Sequence, residues 1–135
     1  MVFITELFEM ALKARNMAYA PYSNFKVGAA LLTTDNQIYV GANVENVSFP
    51  CGTCAEQSAI AAMISGGGKT IKEIVIVAES KTLIAPCGAC LQRISEFSDD
   101  KTVVHLANLD GVQKSYPLGA LFPVAFKQGV LKKDD

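Results

Sequence analysis

Eight consecutive residues, Ile71-Lys-Glu-Ile-Val-Ile-Val-Ala78, form a nearly unbroken β-branched run. A strand this apolar has to be covered on both faces, so it belongs at the centre of a sheet. The flanking segments supply the cover. From Thr5 to about Tyr19, Leu7, Phe8, Ala11, Leu12 and Ala18 recur at roughly helical spacing, and Pro21 with the Tyr-Ser-Asn after it ends that helix. Lys26–Thr33 is β-like and strongly apolar; Asp35-Asn36 supplies a turn, and Gln37–Val40 returns as the second strand of a hairpin. Thr53–Ile64 is Ala-rich and helical, closed by Gly66-Gly67-Gly68. After Pro86 comes a helix over about Gly88–Phe97, then a strand over Thr102–Ala107. Asp110-Gly111 is a turn, Val112–Tyr116 a short strand and Pro117–Leu121 a helical turn. This order predicts an α/β fold, three layers α/β/α around a mixed sheet of about five strands. The 135 residues fit a single domain, 1–135, with 128–135 as a flexible tail.

Composition narrows the class of partner. Twelve Lys and Arg stand against thirteen Asp and Glu, with no long run of one sign. Proteins that track a nucleic-acid backbone carry a basic stripe, because phosphate neutralisation dominates their affinity. None is visible, so a small uncharged ligand is expected and nucleic acid is not. Met1–Ala20 lacks the basic start and uninterrupted apolar stretch of a signal peptide, and no apolar run reaches membrane-spanning length. The four cysteines are therefore expected in a reducing cytoplasm, where metal binding or catalysis is favoured over disulfides. Half the residues are hydrophobic, which fits either an extensive subunit interface or a well-filled core.

The chemistry concentrates in Cys54-Ala55-Glu56 and Pro86-Cys87-Gly88-Ala89-Cys90. Two cysteines separated by two residues at a helix start can reach one metal ion. A third from another helix start completes three thiolates and leaves the fourth tetrahedral position for water. Helix N-termini favour the thiolate form. Glu56, two residues after Cys54, is placed to carry protons for that water; a non-ligand Glu with a Pro-Cys-x-x-Cys segment is the described signature of zinc deaminases.

Each element has another reading. Thr53-x-x-Glu56 is also a capping box. Cys51-x-x-Cys54 with Cys87-x-x-Cys90 would make a closed four-cysteine structural zinc site, and Cys51 could equally be a buried inert thiol. Gly68-Lys69-Thr70 echoes a phosphate-binding loop but has Met63 where that motif needs Gly, and follows a helix. His105, the only histidine, reads as a satisfied core or interface residue. Phe25, Phe49, Phe122 and Phe126 read as core, and Asn43 and Glu45 as turn chemistry at a strand end.

Taken together, Tyr19-Ala-Pro-Tyr-Ser-Asn-Phe25-Lys-Val-Gly-Ala-Ala, Gly41-Ala-Asn43-Val-Glu45-Asn46, Cys54-Ala-Glu56 and Pro86-Cys-Gly-Ala-Cys90 resemble the homotetrameric zinc-dependent cytidine deaminases, over about residues 5–127. The resemblance implies one Zn²⁺ per subunit on Cys54, Cys87 and Cys90, with Glu56 moving protons from the zinc water to ring N3 and then to the departing amine. It implies ribose contacts from Asn43 and Glu45, a base contact from Phe25, and the Ala55 backbone on the pyrimidine carbonyl. It implies that Phe49 and Phe126 complete the sites of neighbouring subunits. The expected activity is hydrolytic deamination of cytidine and deoxycytidine, a step of pyrimidine salvage.

Two positions depart from the resemblance. Many members carry Arg where this chain has Gln57 and Leu91. Three thiolates on Zn²⁺ leave a net charge of −1, which makes bound water less acidic. Compensation then falls to the helix dipoles or to Arg93, and Gln57 is expected to hydrogen-bond a ligand sulfur.

Overall fold

The computed structural model describes residues 1–131. Five strands, β1 (Val27–Thr33), β2 (Ile38–Ala42), β3 (Ile71–Ala78), β4 (Val103–Asn108) and β5 (Gly111–Pro117), form one sheet in the order β2-β1-β3-β4-β5. The β3–β4 pair is parallel and the other three are antiparallel, so the sheet is mixed. A parallel pair needs a crossover, which α3 (Gly88–Glu96) provides.

Alternation along the strands separates two cores. On one face Ala30, Leu32, Val75, Val77 and Ala107 meet Leu7 and Ala11 of α1 (Ile4–Asn16). On the other, Ala29, Leu31, Ile74, Ile76, Val104 and Leu106 meet Ala55, Ala59, Ile60 and Met63 of α2 (Ala55–Ser65) and Ile94 of α3. This is the expected α/β/α sandwich. A short helical turn, α4 (Leu118–Leu121), buries Leu118 in the second core. No helix among the described residues is long and apolar enough to cross a membrane.

The first helix ends three residues short of its expected end at Tyr19. Met17 and Ala18 donate to Ala14 and Arg15 three residues back, which tightens the last turn. Tyr19 then leaves to pair with the 43–45 segment: its N–H donates to the Asn43 carbonyl at 3.0 Å, and the Glu45 N–H donates to its carbonyl at 2.8 Å. Tertiary pairing overrides the helical period here. The tail expected over 128–135 opens with a 3₁₀ turn, Gln128–Val130, and residues 132–135 lie outside the described residues.

Backbone proximity sets how β2 sits on α2. A Cβ at Gly41 would meet main-chain atoms of Ala55, Ser58 and Ala59, so only glycine lets the strand lie directly on the helix's first turns. That contact ties the end of β2, which leads into Asn43 and Glu45, to the start of α2, which carries Ala55 and Glu56.

His105 on β4 is buried, with Nδ1 2.6 Å from Ser115 Oγ and Nε2 2.8 Å from Glu73 Oε1. Both ring nitrogens are satisfied, as expected of a core histidine.

Candidate active site

Cys54 is the N-cap of α2 and Cys87 the N-cap of α3. Packing of the two helices on the same sheet face brings their starts together. Cys54, Glu56 and Cys90 each place one ligand-capable atom within 4.8 Å of the others. Two sulfurs on one tetrahedral Zn²⁺ lie about 3.8 Å apart, given Zn–S bonds of about 2.3 Å. The donor set therefore fits zinc. Cys87 stands outside that group, and its sulfur makes no capping hydrogen bond.

The capping-box reading of Glu56 fails. The helix is capped by Cys54, whose sulfur accepts from the Gln57 N–H at 3.4 Å, while Thr53 Oγ1 pairs with Ser58 Oγ at 3.1 Å. Glu56 is only 5 % exposed, and burial raises its carboxyl above the usual range. A buried carboxyl beside two sulfurs that could hold a metal ion is suited to proton transfer.

The thiols are electrostatically linked. Hydrogen bonding with the Cys90 thiol lowers Cys54 to about 7, and the Gln57 N–H adds to that. The same pairing, with burial and the nearby negative charges, pushes Cys90 up. An ion bound here would displace the remaining thiol protons, since thiols bind metals deprotonated.

Residues 57 and 93 both meet these sulfurs, but only Arg93 does so by its side chain; the expected Gln57 side-chain bond is not the one observed. Residue 57 reaches Cys54 through its main chain. Arg93 reaches Cys90 through its side chain, Nη1 donating to Sγ at 3.7 Å. Cys51 is exposed, with its Sγ 3.5 Å from Ser48 Oγ, and is not among the clustered groups.

Beside Cys54 opens a cleft of about 510 Å³ lined by Tyr22, Ser23, Asn43, Val44, Glu45, Asn46, Phe49, Gly52, Thr53 and Cys54. That volume is in the range of small-molecule sites. Asn43 and Glu45 thus share a cleft wall with Cys54. Asn43 also braces the loop before β1: Oδ1 accepts from the Val27 N–H at 2.9 Å and Nδ2 donates to the Phe25 carbonyl at 2.8 Å. Each amide atom keeps a further donor or lone pair for a ligand. Glu45 Oε1 accepts from the Tyr22 and Ser23 N–H groups at 3.0 and 3.1 Å, and Oε2 accepts from the Ser23 hydroxyl. The Ser23 hydroxyl, followed by those two N–H groups, holds the Glu45 carboxyl below the usual range. Ala55, first residue of α2, carries a backbone N–H with no intrahelical acceptor.

The aromatic residues are not core. Phe25 is 38 %, Phe49 76 % and Phe126 59 % exposed, whereas Phe122 packs against the core. Phe49 lines the cleft edge-on to Tyr22, with ring centroids 6.2 Å apart. Phe25 and Phe126 do not line it. Phe126 borders a separate cleft with Gln92, whose Nε2 donates to the Phe126 carbonyl at 2.8 Å. Tyr22 and Ser23 were not singled out as site residues by sequence reasoning, and Thr53 was read only as part of a capping box. Tyr22 and Ser23 lie inside the Tyr19–Ala30 motif, and that was their signal.

Residues 1–106 match the family described as "Cytidine and deoxycytidylate deaminase zinc-binding region". A cytidine deaminase of Sporosarcina psychrophila is 40 % identical over 125 residues, 93 % of this chain and 92 % of that protein. One from Halalkalibacterium halodurans is 42 % identical over 120 residues, 89 % of this chain and 91 % of its own length. The crystal structure of a cytidine deaminase from Burkholderia pseudomallei superposes with a TM-score of 0.87 at 42 % identity, covering 93 % of this chain and all of that one.

Proposed function

The chain belongs to the cytidine and deoxycytidylate deaminase zinc-binding family, and from that premise we propose that it hydrolyses cytidine and deoxycytidine to uridine and deoxyuridine, releasing ammonia. The observation that carries this reading is the buried Glu56 carboxyl beside the Cys54 and Cys90 sulfurs, next to a nucleoside-sized cleft.

Cys54, Cys87 and Cys90 would hold the zinc ion, which when bound would supply a water acidified enough to react near neutral pH. Glu56 takes that water's proton and passes it to ring N3 as oxygen adds at C4. It then takes the proton of the new C4 hydroxyl and delivers it to the exocyclic amine, which departs as ammonia as the C4 carbonyl forms, so one water enters and one ammonia leaves. Asn43 and Glu45 bind the ribose hydroxyls, and the Ala55 N–H meets the pyrimidine carbonyl. Gln57 supports Cys54 from the first turn of α2.

Phe25, Phe49 and Phe126 are large and exposed on an isolated subunit. This supports a homotetramer in which Phe49 and Phe126 complete neighbouring sites and Phe25 packs by the base. Four free cysteines support a reducing, cytoplasmic setting and a role in pyrimidine salvage.

The test mixes zinc-loaded protein with cytidine and follows the near-ultraviolet change as the amine is lost. The parent turns over, and Glu56→Gln loses about 10²–10⁴-fold in kcat. Unreduced turnover by Glu56→Gln would remove it as proton carrier. A folded, zinc-loaded parent without turnover would reject cytidine as substrate.

A further inference from the structure

The metal centre carries a charge problem that the chain answers from an unexpected position. Three thiolates around a divalent cation sum to −1, and Glu56 adds a second negative charge whenever it is ionised. Helix N-termini offer only about half a positive charge each.

Arg93 lies three residues after Cys90 on α3, so the two side chains share a helix face. Its Nη1 donates to Cys90 Sγ at 3.7 Å. The residue is half-buried, and among the described residues it has no carboxylate within salt-bridge distance. Arg15 and Lys127, by contrast, pair with Glu79 and Asp100. Drawing a guanidinium partly out of water with no carboxylate to meet is unfavourable. The arrangement becomes favourable when the nearby negative charge is a thiolate cluster.

We propose that Arg93 is the positioning residue of this metal centre: it supplies, through the Cys90 sulfur, the positive charge that offsets the three-thiolate site. The proposal rests on the zinc reading of Cys54, Cys87 and Cys90. It assigns to this chain a source of charge on α3 at a position where residue 57 of α2 contributes only a neutral main-chain N–H.

The test measures zinc dissociation constants of the full chain by chelator competition, alongside kcat and KM for cytidine. Arg93→Met is expected to weaken zinc about 10–100-fold, the usual cost of losing a group that supports a metal ligand. KM should change little, because Arg93 does not line the substrate cleft, so the activity loss falls on kcat. Arg93→Lys should recover most of the affinity. So should the double variant Arg93→Met/Gln57→Arg, because position 57 already sits beside the Cys54 sulfur and can return the charge from the other helix. A packing role for Arg93 would not be rescued by a charge placed on α2. If Arg93→Met does not fold by circular dichroism, Arg93→Gln takes its place, keeping a hydrogen-bond donor and removing the charge. Zinc affinity within twofold of the parent in the uncharged variant overturns the proposal, as does failure of both Arg93→Lys and the double variant to recover it. A parent that binds no zinc overturns the metal reading itself, and the role of Arg93 with it.

Discussion

Replacing Gly41 by Ala adds one methyl group at the place where strand and helix backbones touch. The new Cβ would lie 2.6 Å from the Ala55 carbonyl oxygen, 2.8 Å from the Ser58 carbonyl carbon and closer still to the Ala59 N–H. Ordinary contacts begin near 3.4 Å. All three neighbours are main-chain atoms inside α2, so no rotamer change relieves them, and the helix must shift by on the order of 1 Å. Overpacking of this kind costs about 1–3 kcal/mol. With total stability of about 5–15 kcal/mol, that is a large share, visible as a fall of several degrees in melting temperature at matched protein concentration. The shift also moves Ala55 and Glu56 relative to Asn43 and Glu45, because Gly41 is where those two pairs are tied together. Misplacement by about 1 Å costs on the order of 10²-fold in rate. Gly129→Ala, where nothing lies within 4 Å, serves as the control and should leave both quantities unchanged. Thermal melts and initial rates on both variants decide it. Parent-like stability and kcat/KM in Gly41→Ala would show that α2 yields freely, and would refute close backbone contact as the device that aligns the site.

Two further outcomes are expected. The depressed Glu45 carboxyl stabilises the fold above the ordinary carboxylate range, near 4.5, and loses that contribution as pH falls through its lower folded value. The stability gap between the parent and Glu45→Gln, followed by chemical denaturation, should therefore be constant near neutrality and close on acidification, while KM for cytidine rises in the variant. Cys51→Ala should keep one zinc per chain by elemental analysis and keep its turnover; loss of the metal would instead indicate a closed four-cysteine site.

Most of the fold was legible because its signals are local. The Ile71–Ala78 run marks β3 residue for residue, and Asp35-Asn36 forms the expected turn, with Asn36 at φ 64°. What the residues could not reveal alone depends on partners distant in the chain. Tyr19 fits the helical period of α1 but is captured by Asn43 and Glu45. Thr53 and Glu56 have capping-box spacing, yet the cap passes to the Cys54 sulfur, and Glu56 is buried instead of turned back on the helix end. Burial habits misplace Phe25, Phe49 and Phe126 for a related reason: side-chain type does not say whether an apolar surface is matched within the chain. Cys54 and Cys87 were legible as helix starts, and each is the N-cap of its helix. That Arg93 could reach the site was visible only as an option, since helical spacing places it on the face of Cys90 without saying which way the guanidinium extends.

The ligand sulfurs come from two helices whose starts are separated by an entire strand, β3. An unfolded chain holds Cys54 far from Cys87 and Cys90, so the ion recognises almost only the folded form. Metal supply then acts as a second source of stability: free zinc at a hundredfold excess over its dissociation constant adds about 2.7 kcal/mol to folding. A cell short of zinc would hold the same polypeptide in a more frequently opened state, exposed to proteolysis. Abundance of the chain would thus follow the metal, with no regulator beyond the geometry of two helix ends.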